Sequence, residues 1–304
     1  MPSDPAKILL QSTIPATDDD WSIARFSKLA ALLGDARDEA GNALYQVTAR
    51  DRDPPGGPDS LLSTIDRSDF DQLWLFAVDS GDGLTEEDCA AITRFRRHGR
   101  GLLVTRDHMD LGSSLCLLGG VGQAHYFHSR HPDPDVDRRR RDDPYTTAID
   151  WPNFHSGANG DYQEIEIVGP PHPVLVNRGS PTGYIRYLPS HPHEGGIGAP
   201  EGEDARVILR GRSKVSGLHF NIAVAFEPGE RGGPAVAQST FHHFADYNWD
   251  TSSGCPSFVS EMPGDGLKRN PEALADTHRY ALNVAGWLSG ALTMRPRMER
   301  AELA

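Results

Sequence analysis

The sequence predicts an α/β fold in which an open, doubly wound, mostly parallel sheet is covered by helices on both faces. Short apolar runs of strand length alternate with helical patterns through the first 105 residues, and this alternation is typical of parallel sheets. The runs are continuous rather than alternating, which indicates strands buried on both faces. Strand-like segments return after residue 160, so the second half of the chain is expected to complete the same sheet.

The first third contains four strands and two helices. Residues 21–33 place their apolar side chains on one helical face. Thr85 is the expected N-cap of the second helix, because three acidic residues follow it, where the helix dipole favours negative charge; this helix should stop near Gly99. The expected strands are residues 7–12 (KILLQS), 44–49, 72–78 (QLWLFAV) and 101–105 (GLLVT).

Residues 119–159 lack periodicity and are rich in His, Asp, Arg and Pro, which predicts a long surface insertion. We expect one elaborated domain over residues 1–304, with its core in residues 5–118 and 160–290. The later strands, some antiparallel at the edge, and the last helix are expected at residues 162–168, 184–188, 206–209, 219–226, 235–239 and 273–288.

Charge and composition exclude several classes of partner. The chain has 30 Lys and Arg against 43 Asp and Glu, a net charge of −13, which disfavours nucleic acid and anionic membranes. The sequence contains neither a signal-peptide pattern nor an apolar stretch of membrane-spanning length. The three cysteines have no CxxC spacing, so a cytoplasmic protein is expected. Homo-oligomerisation is left open.

Candidate site residues follow from the rule that ligands bind at the carboxyl ends of parallel strands. Four strands deliver polar side chains to this edge. The candidate catalytic residues are Asp107, His108, Asp110, His242 and His243, and the candidate binding residues are Ser12, Thr13, Asp79, Ser80 and Thr240.

These side chains suit two kinds of chemistry. His108, with Asp107 or Asp110 and one of His242 and His243, could form an acid/base pair or a site for a divalent metal. Of the two adjacent histidines, one could take this role while the other is packed. The alternatives are structural: Asp107 and Asp110 could cap a helix beginning near Leu111, and Asp79 and Ser80 could form a turn.

The remaining reactive residues are weaker candidates. Cys116 is expected to be a small core residue rather than a nucleophile. The other histidines of the insertion and of the SHPHEGG segment are expected in exposed loops, namely His125, His128, His131, His155, His191 and His193.

Three segments resemble a known family. KILLQST, FDQLWLFAVDSGDGLTEEDCAAITRFRRHGRGLLVTRDH and NIAVAFEPGERGGPAVAQSTFHHFADYN are similar to class I glutamine-amidotransferase-like proteins, especially their trehalose-utilisation (ThuA-like) branch. The similarity covers about residues 5–110 and 215–250. It implies a flavodoxin-like sheet, a pocket at the elbow after Thr105, and a small polar or sugar-like ligand.

The resemblance does not imply glutamine hydrolysis. Amidotransferases place a cysteine nucleophile in a glycine-flanked elbow and a His-x-Glu pair downstream. Here Arg106, Asp107 and His108 occupy the elbow, and Phe244 and Ala245 follow the two histidines. The first hypothesis is therefore a hydrolase or lyase whose insertion covers the pocket. The alternatives are a non-catalytic binding or scaffold protein and a thiol enzyme that uses Cys116.

Overall fold

An eight-stranded sheet forms the centre of the molecule. The computed structural model describes residues 4–139, 141–142 and 148–292. The strands, in chain order, are β1 (Ala6–Pro15), β2 (Tyr45–Arg52), β3 (Gln72–Phe76), β4 (Gly101–Thr105), β5 (His125–Tyr126), β6 (Tyr162–Glu164), β7 (Glu166–Ile167), β8 (Tyr187–Pro189), β9 (Gly196–Ile197), β10 (Ala205–Arg212), β11 (His219–Phe226) and β12 (Ala235–Gln238).

The strand order of the main sheet is β2-β1-β3-β4-β12-β11-β10-β7. The first five strands are parallel to one another, and the last three pair antiparallel. The parallel part has the order of a flavodoxin-like sheet, so the predicted fold class is confirmed. Two small antiparallel sheets, β5 with β9 and β6 with β8, lie outside the main sheet.

The helices cover the sheet from both sides. The helices are α1 (Ser27–Gly34), α2 (Glu86–Arg97), α3 (Asp246–Trp249), α4 (Gly266–Arg269) and α5 (Pro271–Leu288). On one face, α1 and α5 pack against Ile8, Leu10 and Trp74, whereas α2 packs on the other face against Leu9 and Leu73. The alternating directions of consecutive β1 residues explain how one strand supplies both cores.

The cap at the start of α2 is confirmed in atomic detail. Thr85 Oγ1 accepts a hydrogen bond from the Asp88 backbone N–H at 3.2 Å, and Asp88 Oδ2 accepts one from the Thr85 N–H at 2.9 Å. This reciprocal pair satisfies two N–H groups that a helix end would leave without partners.

Several predicted elements differ in detail. Residues 23–26 form a 3-10 turn before α1, and the helix expected from Leu111 is a short 3-10 turn over Ser113–Leu117. The expected strand 162–168 divides at Ile165 into β6 and β7, which pair in different sheets.

The insertion is not a surface loop throughout. Its β5 pairs with β9, and Phe127 and Phe154 are buried, so the surface prediction is wrong for these parts. Apolar residues scattered without periodicity gave no signal of this burial. Residues 140 and 143–147 of the insertion, and residues 1–3 and 293–304 of the expected domain, lie outside the described residues.

None of the helices in the described part of the chain has both the length and the apolar character that a membrane crossing requires.

Candidate functional site

Asp107, His191 and His242 converge at the carboxyl edge of the parallel strands. Nε2 of His191 lies 3.4 Å from Asp107 Oδ1, and Nε2 of His242 lies 3.6 Å from Asp107 Oδ2. The three side chains are buried, and their possible ligand atoms all lie within 4.8 Å of one another. They form a His/Asp group that could hold a metal ion.

The sheet register places two of these residues side by side. Thr105 at the end of β4 pairs with Gln238 at the end of β12, so Asp107 and His242 leave the sheet together. The Thr240 hydroxyl joins them, donating to Asp107 Oδ1 at 3.0 Å and accepting from the His242 N–H at 3.2 Å. Adjacent parallel strands thus bring together residues 135 positions apart in the chain.

A chain of hydrogen bonds fixes the orientation of both histidines. The Asn248 amide nitrogen donates to the Ser190 carbonyl at 3.1 Å and to Asn159 Oδ1 at 2.8 Å. Because a backbone carbonyl only accepts, Asn248 Oδ1 is the acceptor for Nδ1–H of His242 at 2.8 Å, and Asn159 Oδ1 accepts from Nδ1–H of His191 at 2.8 Å. Both rings therefore direct Nε2 toward Asp107.

This arrangement brings together three hydrogen-bond acceptors, which are Nε2 of His191, Nε2 of His242 and the Asp107 carboxylate. The imidazole rings of His191 and His242 are stacked, with centroids 3.5 Å apart and planes at 12°, so two imidazolium ions there would repel each other. Burial, and secondarily the neighbouring His242, lowers the pKa of His191 well below its usual value. Burial opposes ionisation of Asp107, but the adjacent histidines hold the net pKa of this carboxyl well below its usual value. A cation between these atoms would satisfy all three.

The donor set and its spacing fit a divalent metal. Two imidazole nitrogens and a carboxylate are a usual set for zinc, and a tetrahedral site with bonds of about 2.1 Å has ligand atoms roughly 3.4 Å apart. The amides of Asn159 and Asn248 supply the outer hydrogen bonds that orient metal-binding histidines.

A pocket of about 340 Å³ opens onto this group. His108 lies in it, with Nδ1 3.0 Å from Asp107 Oδ2. His193 lies there too, between Asn153 Oδ1 and Glu261 Oε1, each 3.0 Å from a ring nitrogen. The pocket is lined by Asp20, Trp21, Val78, Asp107, His108, Leu111, Ile149, Asn159, His191, His193, His242, Phe258, Val259 and Glu261.

His243 lies in a buried network behind the metal-binding group. Tyr280 Oη donates to Gln238 Oε1 at 2.8 Å, so the Gln238 amide nitrogen donates to Nδ1 of His243, also at 2.8 Å. Nε2 of His243 then faces Glu194 Oε1 at 3.4 Å. Ser156 and Ser239 also donate to the Glu194 carboxylate, at 2.6 and 2.8 Å. This network holds the segment that carries His191.

The other predicted site residues have contacts outside the pocket. Thr13 donates to Asp79 at 2.6 Å, Ser12 donates to Asp51 at 2.5 Å, and Asp110 accepts from the Ser129 N–H at 2.9 Å. Ser80 is exposed. Of the predicted binding residues, Thr240 contacts the candidate metal-binding group.

A larger cavity of about 700 Å³ lies beside α1 and α5, lined in part by Lys28, Trp249 and His278. It contains none of the predicted site residues, and we place the chemistry in the smaller pocket because the three acceptors converge there.

Sequence reasoning missed His191, which was expected in an exposed loop. His191 and His193 are each 4% exposed and His125 is completely buried, so that prediction is wrong for these three. The SHPHEGG segment has no apolar periodicity, and its burial depends on polar contacts with distant residues. Two histidines at i and i+2 were the available signal.

No family model matches the chain, and no curated protein matches it. The solved structures to which the chain shows some similarity include the following three. The mmIFT52 N-terminal domain is 12% identical with a TM-score of 0.47, over 93% of this chain and 97% of that one. The Trypanosoma brucei CTPS glutaminase domain with bound acivicin is 12% identical with a TM-score of 0.44, over 96% of each chain. Agd3, described as a novel carbohydrate deacetylase, is 10% identical with a TM-score of 0.39, over 82% of this chain and 30% of that one.

Proposed function

We propose that the protein is a metal-dependent hydrolase in which Asp107, His191 and His242 bind a divalent cation, with zinc the best fit. The observation that carries this proposal is the fixed orientation of both imidazoles. Their Nδ1 atoms are engaged by Asn159 and Asn248, so two Nε2 lone pairs point at a buried carboxylate. Buried acceptors facing one another are costly unless a cation joins them.

A zinc ion held there would polarise a substrate oxygen and make bound water a nucleophile at neutral pH. The residues of the protein would bind the ion and transfer protons. Asp107 and the two histidines hold the ion, while His108 lies beside Asp107 on the pocket side, where it can exchange a proton with the leaving group.

The substrate class follows from the pocket and from the resemblance to ThuA-like proteins. We propose a small polar, carbohydrate-derived substrate and a place in the ThuA-like branch. The volume of about 340 Å³ suits a small ligand. Ile149 of the insertion lines the pocket, which supports a covering role for that segment.

Glutaminase chemistry and a thiol mechanism have weaker support. The elbow after β4 carries Arg106, Asp107 and His108, and Cys116 is not among the pocket residues. Burial raises the pKa of the Cys116 thiol, which disfavours the reactive thiolate. A non-catalytic protein would not need convergent polar groups in its pocket, so the convergence at Asp107 counts against that alternative.

The test combines metal content with turnover. Protein purified without chelator is analysed for metals, and the zinc-loaded form is assayed on acetylated sugars, sugar lactones and simple esters. We expect about one zinc per chain and hydrolysis of at least one substrate, both lost in Asp107→Asn. The matched control is Asp110→Asn, which removes the same charge three residues away. Absence of zinc binding by the wild type, or equal loss in both variants, would overturn the proposal.

A further inference from the structure

The pocket that leads to the candidate metal site has an acidic and aromatic lining. Asp20 and Glu261 contribute carboxylates, and Trp21 and Phe258 contribute aromatic rings. Among the described lining residues there is no Lys or Arg. Such a lining disfavours an anionic ligand and favours one with positive charge.

Hydrogen bonds at the surface join the two segments that carry these groups. Asp19 accepts hydrogen bonds from the backbone N–H and the hydroxyl of Ser257. This contact joins the segment that carries Phe258 and Glu261 to the segment that carries Asp20 and Trp21. The lining is therefore built by residues more than 230 positions apart in the chain.

Asp20 is the lining carboxylate that has no ion-pair partner among the described residues. It is half-buried and accepts a hydrogen bond from the Trp21 N–H at 2.7 Å. Asp20 forms no ion pair within the described part of the chain, and burial raises its pKa. By contrast, Glu261 is engaged by His193 at 3.0 Å. A cationic group bound to Asp20 would offset the cost of holding this carboxylate away from water.

Asp20 is also close to the candidate metal site through its neighbour. The Trp21 ring packs edge-on against His242, with centroids 4.5 Å apart. His191, which is 4% exposed, directs Nε2 into the same pocket, and that atom makes no hydrogen bond with the described residues. Asp20, Trp21 and the metal-binding group line the same pocket, so one small ligand can contact all of them.

We propose that the substrate carries an ammonium group, which Asp20 binds beside Trp21 and Phe258 while the reacting group reaches Asp107, His191 and His242. This inference rests on the proposed metal-dependent function and specifies its substrate class. Asp20 is a specificity residue in this account. Carboxylates and phosphates are rejected by the same charge that attracts an amine.

The test uses three hydroxamates of nearly equal length, since a hydroxamate binds zinc directly. Aminobutyryl hydroxamate carries an ammonium group, valeryl hydroxamate is neutral, and glutaryl monohydroxamate carries a carboxylate. Binding to the zinc-loaded protein is measured by calorimetry at neutral pH, and zinc content is measured afterwards. We expect the cationic compound to bind about tenfold more tightly than the neutral one, and the anionic compound to bind most weakly.

Two variants assign the preference to one side chain. Asp20→Asn keeps the acceptor for the Trp21 N–H and removes the charge, so the preference for the ammonium compound should disappear while zinc content is unchanged. Asp18→Asn removes an exposed carboxylate that is not in the pocket, and the preference should remain.

The possible failures are distinguishable. Equal affinities for the three compounds, or binding of none of them by zinc-loaded protein, would overturn the inference and leave the metal site in place. Failure to bind zinc at all would overturn the proposed function, and the inference with it.

Discussion

His191 and His242 stack with their ring centroids 3.5 Å apart, and each directs Nε2 toward a different oxygen of Asp107. The two rings come from different parts of the chain, a loop between two short strands and the turn after β12. Their shared orientation is imposed by Asn159 and Asn248, which are joined to each other by a hydrogen bond of 2.8 Å. A metal ion held by these three side chains requires this arrangement.

Removing the Asn248 amide, which orients His242, should weaken metal binding without removing a metal ligand. In Asn248→Ala, His242 loses the acceptor of its Nδ1–H, so we expect zinc affinity to fall roughly 10- to 100-fold. Competition with a chromogenic chelator measures the change.

The control for this variant is Asn283→Ala. From α5, Asn283 donates hydrogen bonds to the Val174 and Val176 carbonyls, and it does not line the pocket. This variant therefore also loses an amide that donates to the backbone. Equal loss of zinc affinity in both variants would show that Asn248 does not orient a ligand.

The adjacent histidines should have opposite phenotypes. His242→Gln should lose zinc, whatever its effect on the unfolding free energy of the metal-free protein. His243→Gln should keep zinc but lose about 1–3 kcal/mol of unfolding free energy, because the change disturbs a buried hydrogen-bond network. Metal analysis and urea unfolding in chelator measure the two effects. Zinc loss in His243→Gln would contradict the assignment.

His125 should make the folded state sensitive to acid. Burial, with the nearby Arg106 charge, lowers the pKa of His125 to about 3, whereas an unfolded histidine titrates near 6.5. Below about pH 6.5, His125 therefore binds a proton in the unfolded chain but not in the folded chain. The free energy of unfolding consequently decreases as the pH falls toward 3.

Comparing variants isolates this contribution. Between pH 7 and pH 5, His125 should account for about 2 kcal/mol of the loss of unfolding free energy, and His125→Gln should lose this part of the pH dependence. Urea titrations in chelator at several pH values measure how the unfolding free energy changes with pH. The control is His98→Gln, a change at an exposed histidine. An unchanged slope in His125→Gln would show that this histidine is protonated in the folded state.

The thiols should not take part in the chemistry. Burial raises the pKa of Cys89 to about 12, so iodoacetamide at pH 8 should leave Cys89 of the folded protein unmodified, as mass spectrometry would show. Slow modification of the half-buried Cys116 should leave zinc binding and turnover intact. Inactivation in step with modification of Cys116 would support the thiol enzyme instead.

Much of the fold could be predicted because burial leaves a pattern in the sequence. The segments that form β3, β4 and β11 are continuous apolar runs. Thr85, followed by three acidic residues, indicates the start of α2. The division of residues 162–168 between two sheets could not be predicted, since it depends on which neighbours each half meets.

The candidate site was predictable only in part. Asp107 and His242 follow from the ends of two adjacent parallel strands, a relation that the strand order makes available. His191 reaches the site from an irregular segment whose burial depends on Glu194, Ser156 and Asn159. These polar contacts join loops that are distant in the chain, and no local pattern in the sequence predicts them.

The most direct test of the metal site compares two histidines in the same loop. His191 and His193 are equally buried, but His191 directs Nε2 at Asp107 and His193 is engaged by Asn153 and Glu261. Zinc titration by calorimetry of His191→Gln and His193→Gln should show loss of the tight site in the first variant and its retention, at about one zinc per chain, in the second. Retention of tight zinc binding by His191→Gln would contradict the account.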